Sequence, residues 1–173
     1  MKVAFLDRDG IINIDYGYVY EISEFEFVDG IFDLTSRLQK NDYSLIVCTN
    51  QSGIGRGYYS KKKFEIVNAW MLNVFKKKGI KILDTFYCPH IPDDNCNCRK
   101  PLPGLFFKAS EKYNIDFSNS IMIGDKYSDI IASSKIGIKN RILVNKKLLN
   151  RQNLNLATMI VGDLKELKNF DKI

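Results

Sequence analysis

The order of apolar segments in this chain predicts an α/β fold, built as a doubly wound, mostly parallel sheet with helices on both faces. Three observations carry the prediction. Apolar runs too short for helices alternate with stretches of helical period, the pattern of successive βαβ units. The most polar and unusual clusters follow directly after those runs, where an open α/β sheet places its ligand crevice. Internal repeats, low-complexity tracts and linker-like stretches are missing from the sequence, so residues 1–173 read as one domain.

Taken in order, Val3 to Leu6 reads as the first strand and ends on Asp7-Arg8-Asp9-Gly10. Ile31 to Leu38 has helical period, and Leu45 to Cys48 is the second strand, ending on Thr49-Asn50-Gln51-Ser52-Gly53. Phe64, Val67, Met71, Val74 and Phe75 fall on one helical stripe. Phe86-Tyr87 marks a third strand, which runs into a Cys/His cluster and Arg99-Lys100. Leu105 to Tyr113 predicts a helix, Ile121 to Ile123 a fourth strand ending on Gly124-Asp125-Lys126, and Tyr127 to Lys135 a short helix. Ile142 to Val144 is a fifth strand; Met159 to Val161 adds a last one and Leu164 to Asn169 a last helix.

Composition narrows the class. Hydrophobic residues make up 45% of the 173 and charged ones 27%, which suits a globular domain with a core of its own and excludes disordered and collagen-like classes. No stretch approaches the roughly 20 apolar residues of a membrane-spanning helix, and Asp7, Arg8 and Asp9 interrupt the first apolar run before it reads as a signal sequence. A cytoplasmic protein without membrane partners is expected. The net charge of +6 comes from scattered Lys, with runs at Lys61 to Lys63 and Lys76 to Lys78 that read as solvated helix faces. A basic balance attracts anionic small molecules and, on charge alone, nucleic acid.

Cysteine usage is more specific. Three of the four Cys and the only His lie between Cys88 and Cys98. Without a secretion signal a disulfide framework is a poor account of them. Cys88, His90, Cys96 and Cys98 instead supply four N/S ligands with no vacancy, which describes a closed, structural zinc site.

Asp7, Asp9 and Asp125 close two different strands, and hard oxygen ligands from two strands match the demand of Mg²⁺ beside a phosphate. A carboxylate held there, Asp7, can attack phosphorus. Asp9, two residues on, suits proton transfer to the leaving alkoxide and later from water. Thr49 offers a hydroxyl, Lys100 or Lys126 a fixed cation, and Arg99 a bidentate grip on a second anionic group. Asp129 reads as a supporting or capping carboxylate.

In order and strand position, Asp7-Arg8-Asp9-Gly10, Thr49, Lys100 and Gly124-Asp125 with Asp129 resemble the four motifs of the haloacid dehalogenase (HAD) superfamily. The resemblance implies a Rossmann-like phosphatase core with Asp7 as nucleophile and Asp9 as acid/base. It further implies Mg²⁺ on Asp7, Asp125 and the Asp9 backbone carbonyl, Thr49 on the phosphoryl oxygens and Lys100 as the stabilising cation. A helix, a strand and the metal loop fill the interval from Thr49 to Lys100, so no cap domain is expected. Asn13 to Ile22, Phe25 to Phe27, Thr49 to Gly57, Cys88-Pro89-His90 and Cys98 to Pro101 resemble the superfamily's subgroup of heptose-bisphosphate and histidinol-phosphate phosphatases, although Tyr16 stands where many members carry His. This implies substrate contacts from Asp15, Tyr16, Gly17, Tyr18, Thr49, Asn50, Gln51, Ser52, Arg99, Lys100 and Lys126. The expected activity is a Mg²⁺-dependent removal of the C7 phosphate from a heptose 1,7-bisphosphate, by a monomer acting on a small molecule. Histidinol phosphate is the alternative substrate. A zinc-knuckle nucleic-acid module is the remote one, since it leaves the strand-end carboxylates unexplained and lacks repeated exposed aromatics.

Overall fold

The computed structural model describes residues 1–149 and 154–172. Six parallel strands form one sheet: β1 (Val3–Leu6), β2 (Ser44–Asn50), β3 (Ile82–Cys88), β4 (Ile121–Gly124), β5 (Asn140–Val144) and β6 (Met159–Val161), in the spatial order β3-β2-β1-β4-β5-β6. The strand order reverses at β1, between β2 and β4. That is the switch point at which an open α/β sheet leaves a crevice outside its strand ends. The β1–β4 ladder runs from Ala4↔Ile121 to Leu6↔Ile123, and β1–β2 from Val3↔Ser44 to Leu6↔Val47.

Period-two alternation in the central strand sends its side chains to two separate cores. Ala4 and Leu6 pack on one face with Leu45 and Val47, against α1 (Ile31–Lys40) and α2 (Lys61–Lys77). Val3 and Phe5 pack on the other with Ile46 and Met122, against α3 (Gly104–Lys112) and α4 (Tyr127–Ser134). Phe5 meets Phe106 of α3 edge-on at 4.9 Å between ring centroids. Full burial of each such side chain stabilises the fold by about 1.5–3 kcal/mol. In α2 the buried residues Phe64, Val67, Met71 and Phe75 follow the i, i+3, i+4 spacing, and Ser60 caps the helix by accepting from the Lys63 N–H.

Three elements differ from expectation. The sheet is parallel throughout rather than mostly so. β3 begins at Ile82, well before Phe86: it is an edge strand, and its polar Asp84 is taken up by Lys112 Nζ at 2.7 Å and the Tyr113 hydroxyl at 3.0 Å. The last helix, expected over Leu164 to Asn169, runs Leu164–Lys172 and is 3₁₀. Three residues per turn place the buried Leu164 and Leu167 on one side, and the Arg37 guanidinium of α1 donates to the Leu167 and Lys168 carbonyls, both at 2.9 Å.

Between β1 and α1 the chain makes a long excursion, anchored by buried Ile11, Ile12, Val19 and Phe25 and by bridges from Asn13 to Asp9 and Phe27. Its tip, residues 15–18, hangs over the strand ends. No described helix is long and apolar enough to cross a membrane.

Candidate active site

At the carboxyl end of β1, Asp7 is almost fully buried beside Asp125, which follows β4, and Asp129 from the first turn of α4. One carboxylate oxygen from each lies within 4.8 Å of the others. Lys100 lies among them, its Nζ 3.0 Å from Asp7 Oδ1 and 2.5 Å from Asp129 Oδ1 while donating to the Cys48 carbonyl at 2.7 Å. Burial opposes the ammonium charge, but Asp129 and then Asp7 outweigh it and hold Lys100 above the usual lysine range. Asp129, expected only to support or cap, is thus buried and ion-paired to Lys100.

Three carboxylates share one buried lysine, with the half-exposed Lys126 no nearer than 4.0 Å to Asp125 Oδ2, which leaves negative charge uncompensated. Burial pushes Asp7 up to about 6, and burial with the neighbouring Asp7 pushes Asp125 up to about 8. Asp125 Oδ1 is buried without a hydrogen-bond partner among the described residues. An orphaned buried oxygen in an all-oxygen donor set fits a hard divalent cation such as Mg²⁺. Gly10 and Gly124 make the cluster sterically possible. Gly10 sits at φ +93°, and a Cβ there would overlap the Asp125 carboxylate; a Cβ on Gly124 would overlap that of Asp129.

Asp9 is held by a second network. Arg8 Nη2 donates to Asp9 Oδ1 at 2.8 Å and Oδ2 at 3.0 Å, and Asn13 Nδ2 to Oδ1 at 3.0 Å. Arg8 is fully buried, also donates to the Val19 carbonyl at 2.8 Å, and lies against the Phe64 and Phe25 rings. Gln51 Nε2 spans from Asp9 Oδ2 at 2.8 Å to Thr49 Oγ1 at 2.9 Å. Sequence reasoning assigned neither Arg8 nor its aromatic neighbours to the site. The signal available was an arginine between two aspartates at a strand end, which acquires meaning only when its partners are known.

A cavity of about 460 Å³ opens over these groups, lined by Asp9, Asp15, Gly17, Tyr18, Asn50, Gln51, Ser52, Tyr59, Arg99, Lys100, Pro101, Lys126 and Ser128. Of the expected substrate contacts, Tyr16 does not line it. Its ring is largely exposed, with its hydroxyl donating to Glu26 Oε2 at 2.6 Å. Thr49 lies buried beneath the cavity lining. The Asn50 amide is engaged by the Lys100 backbone, donating to its carbonyl at 3.0 Å and accepting from its N–H at 3.1 Å. Lys126 Nζ reaches Asp15 at 2.9 Å; burial raises the Asp15 pKa, but the lysine more than offsets this and holds it below the usual range. Arg99 lines the cavity while its Nη1 donates to the His90 carbonyl at 3.3 Å.

Cys88, His90, Cys96 and Cys98 converge beside that arginine, with Sγ and Nδ1 atoms 3.1–3.7 Å apart and no disulfide among them. Tetrahedral Zn²⁺ with bonds of about 2.0–2.3 Å sets its ligands roughly 3.5–3.8 Å from one another, so the donor set and spacing fit.

A parallel sheet with this strand order, a carboxylate cluster at its switch point and a lysine bridging two of those carboxylates define a HAD-like hydrolase, and the HAD-hydrolase-like family model matches residues 97–167. Two curated relatives are similar over most of their length. One, 39% identical over 96% of this chain and 94% of its own, is the D-glycero-beta-D-manno-heptose-1,7-bisphosphate 7-phosphatase of Vibrio cholerae. The other, 47% identical over 84% of each, is the D-glycero-alpha-D-manno-heptose-1,7-bisphosphate 7-phosphatase of Campylobacter jejuni. Among solved structures, the D,D-heptose 1,7-bisphosphate phosphatase of B. bronchiseptica, complexed with magnesium and phosphate, superposes with a TM-score of 0.87 at 32% identity, covering 95% of this chain and 94% of that one. The chain belongs to the D-glycero-D-manno-heptose-1,7-bisphosphate 7-phosphatase family.

Proposed function

We propose that this protein is a Mg²⁺-dependent phosphatase that removes the C7 phosphate of D-glycero-D-manno-heptose 1,7-bisphosphate and releases the 1-phosphate. The observation that carries the reading is the convergence of Asp7, Asp125 and Lys100 at the sheet switch point, in a chain of this family. The Asp7 carboxylate attacks phosphorus as the bond to the C7 oxygen breaks, giving an aspartyl phosphate. Asp9 gives that oxygen a proton and later takes one from the water that frees phosphate and regenerates Asp7. Lys100 orients Asp7 and, with the Thr49 hydroxyl, offsets charge on the phosphoryl oxygens. Asp7, Asp125 and the Asp9 carbonyl would hold Mg²⁺, which supplies further charge neutralisation at the phosphate.

The substrate assignment rests on the cavity's charge. Arg99 and Lys126 line the cavity, Lys126 paired with Asp15, and Arg99 keeps N–H donors after bracing His90. Such a site suits a second phosphate and disfavours the cationic amine of histidinol phosphate. Zinc would hold the loop that presents Arg99 and Lys100, without taking part in the chemistry. Phosphate release from the α and β heptose 1,7-bisphosphates and from histidinol phosphate, compared by kcat/KM, tests the reading. The expected result favours a heptose bisphosphate, with phosphorus NMR showing the remaining phosphate at C1. A preference for histidinol phosphate would overturn it.

A further inference from the structure

Tyr59 is a buried phenol with an unusually well-defined set of neighbours. Its ring stacks on Tyr20 at 5.0 Å with an interplanar angle of 16°, and its other contacts include Gly53, where any Cβ would overlap it. Its hydroxyl donates to Gln51 Oε1 at 2.6 Å. Burial pushes its pKa up to about 12, so the phenol keeps its proton. Gln51 is itself buried, and its amide hydrogens go to Asp9 Oδ2 and Thr49 Oγ1. The amide carbonyl has no other side-chain donor among the described hydrogen bonds.

We infer that Tyr59 is a positioning residue for Asp9, acting through the Gln51 amide. An amide bridge has two faces that a rotation of its terminal bond exchanges. With the Tyr59 O–H pointing at Oε1, the nitrogen is directed at Asp9 and Thr49. The bridge then couples the proton-transfer carboxylate at the end of β1 to the phosphoryl-binding hydroxyl at the end of β2. Without the phenol O–H, the carbonyl is a buried acceptor with no donor, and the amide relaxes toward whatever donor it finds. Asp9 keeps its Arg8 and Asn13 contacts, so it stays at the site while its aim loosens. Thr49 only accepts from the amide and keeps its own O–H donor, so the loss falls on proton transfer to the leaving oxygen rather than on phosphate binding.

The inference rests on the acid/base reading of Asp9, and the experiment separates the two. Tyr59→Phe keeps the ring stack and removes one oxygen. Its kcat on heptose bisphosphate is expected to fall about tenfold, a fraction of the 10²–10⁴ that general acid–base help supplies, with KM changed less than about twofold. Single-turnover release of p-nitrophenolate from p-nitrophenyl phosphate, whose leaving group needs no proton, should change less than about twofold. In a Gln51→Ala background the Tyr59→Phe change should have no further effect, because the relay is already cut. Equal losses on both substrates, a rise in KM with kcat unchanged, or a full Tyr59→Phe effect persisting without Gln51 would each overturn the inference. Asp9→Asn serves as the reference. If it is inactive while Tyr59→Phe matches the unmodified enzyme, only the inference fails; if it retains turnover, the acid/base reading fails first.

Discussion

Asp7→Asn removes a charge while keeping a shape, and so separates chemistry from folding. The variant should fold, because the substitution relieves one carboxylate of a crowded cluster, yet kcat should drop by at least about a thousandfold through loss of the proposed nucleophile. Circular dichroism together with phosphate release checks both halves. Gly10→Ala asks a different question. Its positive φ and the adjacent Asp125 leave no room for a methyl group. The carboxylate must move, and Mg²⁺ affinity should weaken roughly 10- to 100-fold, the usual result of misdirecting a metal ligand. Titration of activity against Mg²⁺ measures it, and an unchanged activation curve would contradict the packing argument. At this scale the sequence was readable wherever a polar residue directly follows an apolar run: Asp7, Thr49 and Asp125 are legible for that reason. Arg8 and Tyr59 were not. Their roles depend on partners distant in the sequence or on which of two neighbouring tyrosines turns inward, and neither periodicity nor spacing carries that information.

At the scale of elements, β3 and the loop after it do most to define the site's rim. The strand ends on Cys88, and only Arg99 separates Cys98 from Lys100, so metal ligation and placement of the bridging lysine belong to one short segment. Zinc binding worth on the order of 10 kcal/mol in small peptides is ample to order this loop. Purified protein should therefore contain one zinc per chain by elemental analysis. Its removal, or Cys96→Ser, should raise KM for the bisphosphate and open residues 89–97 to protease. Full activity after verified zinc removal would refute the structural role. The cluster was legible as a metal site because thiols and an imidazole crowd a few positions. The length of β3 was not, since an edge strand keeps polar residues such as Asp84 that interrupt its apolar pattern. The 3₁₀ geometry of Leu164–Lys172 escaped for a related reason: residues three apart satisfy either helix, and docking against Arg37 decides between them.

For the molecule as a whole, the switch point joins stability to metal binding. Magnesium bound only by the folded chain at about 100 times its Kd would add about 2.7 kcal/mol, or several degrees in Tm for a domain of this size. Asp125→Asn should abolish that Mg²⁺-dependent shift without lowering the Tm of the metal-free protein, because it removes a negative charge that burial and the neighbouring Asp7 disfavour. Scanning calorimetry with and without MgCl₂ tests both statements. The β1–β4 ladder also sets an order in time. Ala4 and Ile121 are far apart in the chain, and pairing of such distant segments is slow because a long loop must close first. The carboxylates lie beyond the last paired residues, Leu6 and Ile123, so they meet only once the ladder has run to its end. Magnesium therefore arrives after the rate-limiting step: it should leave the refolding rate unchanged and slow unfolding, making the cation a brake on the exit from the native state rather than a guide into it.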